Sequence, residues 1–370
     1  MSIAREMKKL VEEYDQNKLH IGVVASHSAL DVLWGVKRLG FRTLAIAERR
    51  RLEPYRRLVG KVIDELIVVD RYADMLDESI QERLRSLNTI IVPNRSFAVY
   101  LGYDNIEKKL RVPIFGNRFL LRWEERKGEK NYYKLLDDAG VRRPKVYNSV
   151  EEVDRPVLVK LPEAARRVER AFFVARDRED LERKLQELME KGIIDDKSLE
   201  EMVIEEFVDG AHFNVNFFYS VVRGELELYS IDRRLQTNID DINRWPAWVQ
   251  ERLEGVIIER MIEVGHIPVT IRESMLAKVF PLAERVVEAA RKLEPPGIIG
   301  PFTLQLIVTP NLDVVVYDVA LRVGGGTNSV MAWGGQYIHL WHGKPLTLGE
   351  RIALEIREAI RDGRLPDIVT

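Results

Sequence analysis

Two polar side chains interrupt a pair of apolar segments near the carboxyl end of the sequence. Gln305 lies within Thr303–Val308, Asp318 lies within Val314–Val319, and a Pro-Asn-Leu-Asp turn joins the two segments. This pattern predicts a β-hairpin. A turn centred on the Asn-Leu bond places the two polar side chains directly opposite each other, with Cβ atoms about 5 Å apart. Two oxygen ligands at that spacing suit Mg²⁺, which usually keeps phosphate oxygens as well.

A cation and a glycine run follow this hairpin. Arg322 precedes the Gly-Gly-Gly-Thr-Asn run at 324–328. A guanidinium and a flexible loop rich in backbone N–H groups, next to a metal pair, are typical of a phosphoryl-transfer site. On spacing alone, the alternative is an ordinary hairpin with one polar residue in each strand.

Bulk composition excludes several classes of function. The chain has 370 residues, a net charge of −2 and no cysteine. The balanced charge gives no reason to expect a nucleic-acid partner or an anionic membrane partner. The lack of cysteine excludes disulfides, thiolate catalysis and Cys-ligated zinc. No apolar run reaches the ~18 residues of a membrane span, and the amino terminus is an amphipathic charged helix, so we expect a cytoplasmic protein.

The first third of the sequence alternates strands and helices. The predicted strands are His20–Ala25, Phe41–Glu48, Val62–Val69 and Thr89–Pro93. Ser28 to Asp31 matches a capping box, and the helix that follows ends at Gly40. This order predicts a parallel, three-layer βαβ domain of Rossmann-like type over residues 1–121. The first turn has no GxGxxG motif, which disfavours a dinucleotide cofactor.

A lysine and an acidic-apolar segment precede the predicted hairpin of Gln305 and Asp318 in the sequence. Lys160 ends an apolar strand, and the segment Glu205–Val208 ends another strand 45 residues later. This order resembles an ATP-grasp fold, a mixture of α/β and α+β parts with ATP between two lobes, here residues 122–210 and 211–370. The resemblance implies that Lys160 contacts phosphates and that the backbone of the hinge segment holds adenine. The hinge residues it assigns to ATP binding are Glu205, Glu206 and Val208, with a carboxylate for ribose or an adenine N–H.

Nine further segments make the resemblance specific to one family. They are SHSALDVLWGVKRLGF (26–41), IIVPNRSF (90–97), VPIFGNRFLLRWE (112–124), VIEEFVDG (203–210), FFYS (217–220), IDRRLQTNID (231–240), GHIPVTIRES (265–274), PPGIIGPFTLQ (295–305) and VALRVGGGTNS (319–329). With these segments the chain resembles the archaeal formate-dependent FAICAR synthetase family (PurP type) across nearly its full length. The resemblance implies a ligase of purine biosynthesis that uses ATP and Mg²⁺. The implied reaction joins formate to the amine of AICAR through formyl phosphate. Because family members are oligomeric, we also expect a homo-oligomer.

The resemblance also assigns roles to single residues. Substrate contacts fall on His27, Ser28, Ser96 and Asn238, and metal contacts fall on Gln305 and Asp318. The first two lie at the start of a helix, where free N–H groups and the dipole attract anions. Arg322 would lie on the transferring phosphoryl group. The alternatives are a helix cap for Ser28, turn residues at Ser96 and Asn238, and a surface salt bridge for Arg322.

Three segments depart from the family pattern. Residues 160–173 contain no glycine where the family has a glycine-rich loop, Asp318 and Ala320 replace a Glu and a Ser, and Asn-Arg-Ser at 94–96 replaces His-Gly-Ser. A loop that approaches phosphate closely usually needs glycine. Two alternatives to AICAR formylation therefore stay open: an ATP-grasp ligase for another acid–amine pair, and a catalytically impaired paralogue that binds nucleotide or AICAR.

Overall fold

One parallel and two antiparallel sheets organise the protein. The structure is a computed structural model, and it describes residues 2–161, 172–236, 239–242, 244–252 and 263–370. The predicted substrate contact Asn238 and most of the glycine-free segment, including its arginines at 166, 167 and 170, lie outside the described residues. Within the described part of the chain, no helix is both long and apolar enough to cross a membrane.

The parallel sheet lies in the first third of the chain. Its strands are β1 (His20–Val24), β2 (Arg42–Glu48), β3 (Glu65–Val69) and β4 (Thr89–Ile91), in the order β3-β2-β1-β4. All of its pairings are parallel. Nearly every residue of β1 and β2 is buried, as near-continuous apolar runs predict for a sheet covered on both faces. The predicted βαβ arrangement is confirmed.

Six helices precede, connect or follow these strands. They are α1 (Ile3–Glu13), α2 (Ala29–Arg38), α3 (Leu52–Arg56), α4 (Glu78–Ser86), α5 (Arg95–Leu101) and α6 (Tyr103–Lys108). The predicted capping box at the start of α2 is wrong. Ser28 makes no side-chain bond to the helix, because its hydroxyl donates to the backbone oxygen of Gly324 instead.

The first antiparallel sheet forms one wall of a cleft. Its strands are β5 (Val146–Tyr147), β6 (Val157–Lys160), β7 (Phe172–Ala175) and β8 (Val203–Glu206), in the order β5-β8-β6-β7. The helices of this part are α7 (Tyr132–Asp138), α8 (Arg178–Glu190) and α9 (Asp196–Glu201). The end of β8 runs directly into the predicted hinge segment.

The second antiparallel sheet forms the facing wall. Its strands are β9 (Ala211–Ser220), β10 (Glu225–Gln236), β11 (Glu263–Pro268), β12 (Gly300–Val308) and β13 (Val314–Ala320), in the order β11-β10-β9-β12-β13. The helices are α10 (Ile239–Ile242), α11 (Ala247–Arg252), α12 (Glu273–Leu293), α13 (His339–His342) and α14 (Leu348–Arg361). The three sheets follow one another in the predicted order, a parallel unit and then two antiparallel units. The predicted domain boundaries at 121 and 210 stay predictions.

The last long helix returns to the parallel-sheet unit and packs against α2. Glycines allow the two backbones to approach closely. A Cβ atom on Gly35 would lie under 3.0 Å from the backbone nitrogen of Glu350, and one on Gly349 would lie under 3.0 Å from the backbone oxygen of Asp31. Since neither obstacle is a flexible side chain, the helices would have to separate to accommodate a methyl group.

We therefore expect Gly35→Ala to lower the free energy of unfolding by about 1–3 kcal/mol or more, because a well-packed contact is overfilled. Urea denaturation measures this change. Gly265→Ala is the matched control, since the nearest atom to its new Cβ lies 3.7 Å away. Equal stability of the two variants would contradict the packing argument.

Candidate active site

A cavity of about 340 Å³ lies between the two antiparallel sheets. Its apolar end is lined by Pro144, Leu158, Val174, Phe207, Val208 and Ile307. Its polar end is lined by Arg126, Lys160, Glu205, Arg234 and Asp318. A mostly apolar slot with a few convergent polar groups is the usual form of a small-molecule site. The division suits a ligand with a flat apolar part and an anionic part.

Lys160 and Glu205 form a buried ion pair at the polar end. Leu158 pairs with Glu205 across β6 and β8, so Lys160 is a diagonal neighbour of Glu205 on the same face. Lys160 Nζ lies 2.5 Å from Glu205 Oε1, and the side chains are only 5% and 1% exposed. The hydroxyl of Tyr133 donates to the same carboxylate oxygen. Glu205 therefore fixes the position of the lysine.

Burial lowers the pKa of Lys160, although the nearby carboxylate of Glu205 opposes this effect. The next hinge carboxylate, Glu206, points away from the lysine: its Oε2 accepts from the backbone nitrogen of Lys145 at 3.3 Å, and Arg155 lies 3.8 Å from its Oε1. The backbone nitrogen of Phe207 donates to Pro156 O at 2.9 Å. These contacts hold the hinge backbone along the apolar end of the cavity.

Gln305 and Asp318 are direct partners across β12 and β13, as predicted. The residues nearer the turn, however, do not pair in the predicted register. Nearer the turn, Val308 pairs with Val314, which centres the turn on Asn311, and a β-bulge next to Gln305 restores the predicted pairing. The pairing of Gln305 with Asp318 thus depends on one extra residue in β13.

These two side chains continue a polar row across the sheet. Gln305 also pairs with Asn214 on β9, and Asn214 pairs with Asp232 on β10. Among the described residues, the buried Gln305 Oε1 has no hydrogen-bond partner. Asp318 Oδ1 accepts from Val319 N at 2.9 Å, so the carboxylate is held in place. A lone amide oxygen next to a fixed carboxylate fits Mg²⁺, which often takes only one or two protein ligands plus phosphate oxygens.

A second cavity of about 340 Å³ continues from the polar end of the first. The two share Arg126, Lys160, Arg234 and Asp318. Six lining side chains of the second cavity are cationic (Arg95, Arg126, Lys127, Lys160, Arg234 and Arg322), and four are acidic (Glu124, Glu125, Glu201 and Asp318). An excess of cations over acids favours a polyanion. Sequence reasoning missed Arg126 and Arg234, although the latter lies within the segment IDRRLQTNID.

Arg322 is part of this cavity wall. Its guanidinium lies 3.2 Å from Glu124 Oε2 and donates to Val323 O at 3.1 Å. The side chain is only 11% exposed. The alternative of a surface salt bridge is therefore wrong, and Arg322 faces the space next to Asp318.

A third cavity, of about 40 Å³, lies beside the glycine run. It shares Arg95, Arg234, Gln305 and Arg322 with the second cavity. A Cβ on Gly324 would lie 2.8 Å from Thr303 Oγ1, and one on Gly326 would overlap the carboxylate of Asp232. None of the three glycines has a positive φ. Gly324 and Gly326 need glycine because the run lies directly on the polar row, where a side chain would clash.

A histidine next to the glycine run lies between two carboxylates. His266 Nδ1 lies 2.6 Å from Asp232 Oδ2, and its Nε2 lies 2.8 Å from Glu263 Oε1. Burial lowers the pKa of His266, but the hydrogen bonds to Asp232 and Glu263 outweigh burial and raise it to about 9. The imidazole is therefore a cation at neutral pH, and it ties β10 to β11.

The raised pKa of His266 predicts pH-dependent stability. Its contribution is complete below pH 6.5, the ordinary value for histidine, and is lost as the pH rises through about 9. We expect the difference in unfolding free energy between wild type and His266→Gln to shrink by about 3 kcal/mol over that range. Urea denaturation of both proteins at several pH values measures it. Parallel pH profiles would contradict the assignment.

A cluster of polar side chains lies at the carboxyl edge of the parallel sheet. The strand order reverses between β1 and β4, and ligands of such sheets usually bind at this point. Ser26 follows β1, and Ser96 Oγ donates to its hydroxyl at 2.8 Å. Arg51 donates to the same hydroxyl oxygen at 2.9 Å. Because Ser26 Oγ accepts twice, its own proton is available to a ligand.

The predicted substrate residues differ in their burial and in their contacts. Ser96 belongs to the cluster just described, and His27 is exposed beside the third cavity with a φ of 47°. Ser28 is fully buried, and its hydroxyl is engaged with Gly324. The sequence pattern does not predict Arg51, because the cation lies 25 residues from Ser26 and meets it only in the fold.

Comparison with known proteins identifies the family. Two family models match the chain, one described as a domain of unknown function (DUF1297) over residues 180–370 and one as a protein of unknown function (DUF1246) over residues 21–147. A relative from Methanopyrus kandleri, named 5-formaminoimidazole-4-carboxamide-1-(beta)-D-ribofuranosyl 5'-monophosphate synthetase, is 45% identical over 99% of both chains. A relative of the same name from Methanocaldococcus jannaschii is 42% identical over 99% of both chains. The chain belongs to this synthetase family.

Solved structures agree with membership in the synthetase family. The crystal structure of an IMP biosynthesis protein PurP from Thermococcus kodakaraensis matches with a TM-score of 0.71 and 28% identity, over 95% of this chain and 100% of that one. An ADP complex of N5-carboxyaminoimidazole ribonucleotide synthetase matches with a TM-score of 0.60 and 13% identity, over 89% of this chain and 78% of that one. The latter likeness concerns the fold alone. The predicted ATP-grasp fold and the predicted synthetase family are confirmed.

Proposed function

We propose that this protein is an ATP-dependent carbon–nitrogen ligase of purine biosynthesis, which joins formate to the amine of AICAR and releases FAICAR, ADP and phosphate. Its family membership supports this assignment. The observation that carries it is the continuity of the three cavities: Arg234, Gln305 and Arg322 line both the cation-rich cavity and the small cavity beside the glycine run. A phosphoryl donor and a small acid can therefore meet at these residues.

ATP lies in the first cavity with its adenine against the hinge backbone and the apolar side chains around Val208. Lys160, held by Glu205, contacts the phosphates, and Arg126 and Arg234 add positive charge along their path. Gln305 and Asp318 would hold Mg²⁺, which supplies Lewis-acid polarisation of the phosphate oxygens when bound. The shorter Asp318 suits this role because its backbone contact already fixes the carboxylate.

The chemistry proceeds in two transfers. A formate oxygen attacks the γ-phosphorus, the bond from that phosphorus to the bridging oxygen breaks, and ADP leaves. Arg322 neutralises the charge that develops on the phosphoryl oxygens. The amine nitrogen of AICAR then attacks the formyl carbon, the carbon–oxygen bond to phosphate breaks, and the nitrogen loses a proton. The products are FAICAR and phosphate.

The phosphomonoester of AICAR fits the cluster at the carboxyl edge of the parallel sheet. Arg51 has only neutral partners in the described part of the chain, namely the hydroxyls of Ser26 and Tyr72 and the hydroxyl and ring of Tyr100. A guanidinium without a carboxylate partner, next to the hydroxyls of Ser26 and Ser96, suits a phosphate group. His27 lies between this cluster and the small cavity, where the ribose would pass. Ser28 acts indirectly, because it holds the glycine run.

The direct test measures ADP release at elevated temperature with MgATP, AICAR and formate, each omitted in turn. Release that requires all three substrates supports the proposal. Release with AICAR and a different acid would favour the alternative of a ligase for another acid–amine pair. Stabilisation by AICAR without ADP release under any condition would favour a binding paralogue and contradict the proposal.

We also propose that the protein forms homo-oligomers. Two large apolar side chains near the carboxyl third are strongly exposed, Trp333 at 62% and Leu340 at 69%. Burial of such side chains against a second copy would remove apolar surface from water. Light scattering after size-exclusion chromatography measures the molar mass, and a monomer at all concentrations would contradict this proposal.

A further inference from the structure

Arg95 reaches the junction of the second and third cavities from the parallel-sheet unit. It is the first residue of α5, and the preceding Asn94 fixes the backbone there: its Oδ1 accepts from Phe97 N at 3.0 Å and its Nδ2 donates to Val24 O at 3.0 Å. The guanidinium lies 3.4 Å from Glu124 Oε2. Arg95 lines both cavities. Its side chain thus faces the space where the acid and the γ-phosphate meet.

The carboxylate of Glu124 contacts two guanidinium groups at this junction. Arg322 and Arg95 both approach Glu124 Oε2, at 3.2 Å and 3.4 Å. The other oxygen of Glu124 accepts from Leu321 N at 2.7 Å, which fixes the carboxylate. Its side chain is only 2% exposed. The two guanidinium groups are therefore held side by side at a poorly solvated position, where both can approach one bound anion.

The third cavity leaves little room beside the glycine run for an acid bound at this junction. Its volume of about 40 Å³ accommodates on the order of three water-sized groups. Formate has three heavy atoms, whereas acetate carries an additional methyl group. Arg95 forms part of the cavity wall, so shortening its side chain would enlarge this space.

We propose that Arg95 is the residue that sets the acid specificity of this site: its guanidinium, together with that of Arg322, binds the carboxylate, and its bulk excludes acids larger than formate. The inference rests on the proposed ligase function. Two guanidinium forks can hold both oxygens of a carboxylate and leave one oxygen directed at the γ-phosphate. Glu124 is a positioning residue that holds the two guanidinium groups next to each other.

The test compares Arg95→Ala and Arg95→Lys with wild type. For Arg95→Ala we expect the KM for formate to rise about 10-fold or more, as the loss of a charge-assisted hydrogen bond predicts. The KM values for ATP and AICAR should stay within about twofold of the wild-type values. The ratio of kcat/KM for acetate to kcat/KM for formate should rise about tenfold. Arg95→Lys keeps the charge and most of the length, so it should raise the KM for formate less and should still exclude acetate. Arg49→Ala removes an exposed arginine that pairs with Asp70, and it should match wild type.

A binding experiment separates failure of this inference from failure of the ligase proposal. Sodium formate is titrated into protein saturated with MgADP, with sodium chloride at equal ionic strength as the reference, and the shift in Tm is recorded. A formate-specific shift in wild type that is lost in Arg95→Ala supports the inference even if no AICAR is formylated. Unchanged formate binding, formate KM and acid selectivity in a folded Arg95→Ala protein would overturn it.

Discussion

Asp318→Asn is expected to remove most of the MgATP turnover and to spare AICAR binding. The substitution keeps the shape of the side chain and an oxygen that can accept from Val319 N, but it removes the negative charge opposite Gln305. Because the remaining amide pair attracts Mg²⁺ weakly, we expect ADP release to fall on the order of 10²- to 10³-fold. Steady-state ADP release and calorimetric titration with AICAR measure the two properties separately.

Asp313→Asn is the matched control for this variant. Asp313 lies in the turn of the same hairpin, half-exposed, and its nearest cationic partner is Arg142 at 3.5 Å. The same chemical change at this position should leave turnover unaltered. Unchanged turnover in Asp318→Asn would show that the metal pair is assigned to the wrong residues, and loss of AICAR binding would show that the substitution disturbs more than the metal site.

Lys160→Met is expected to have the second large effect, on both stability and catalysis. It leaves Glu205 buried without its cation, and breaking a buried pair in this way typically costs about 3–5 kcal/mol. It also removes the proposed phosphate contact, so the KM for MgATP should rise about 10- to 150-fold. Urea denaturation and steady-state kinetics measure these two changes.

The double variant Lys160→Met/Glu205→Gln separates the structural from the functional role. Neutralising Glu205 removes the unpaired buried charge, so most of the lost stability should return. The phosphate contact does not return, and the KM for MgATP should stay raised. Recovery of the wild-type KM together with the stability would contradict a direct role for Lys160 in ATP binding.

The parallel sheet and the hairpin β12–β13 were predictable from the sequence for physical reasons. Strands β1 and β2 are buried on both faces, so their central residues form near-continuous apolar runs, which reveal the strands directly. The hairpin of Gln305 and Asp318 is local in sequence, so turn position and alternation were sufficient to pair its residues. The bulge next to Gln305 was not predicted, because one extra residue in a strand leaves no compositional mark.

Other features depend on contacts between distant parts of the chain. Strand β11 is short, half-exposed and paired on one side only, so its sequence lacks a strand pattern. Glu124 and Arg322 meet across 198 positions, and Ser28 meets Gly324 across 296. The hydroxyl of Ser28 could not be distinguished from a helix cap in the sequence, because both roles place a serine before an apolar helix.

The central claim is that the γ-phosphoryl group of ATP passes to the acid in the cleft between the two antiparallel sheets. Formate labelled with ¹⁸O at both oxygens tests this directly, with mass spectrometry of the inorganic phosphate and of FAICAR after one turnover. Transfer through formyl phosphate predicts one ¹⁸O atom in phosphate and one in the formyl group. Unlabelled phosphate, formed while FAICAR accumulates, would contradict the account.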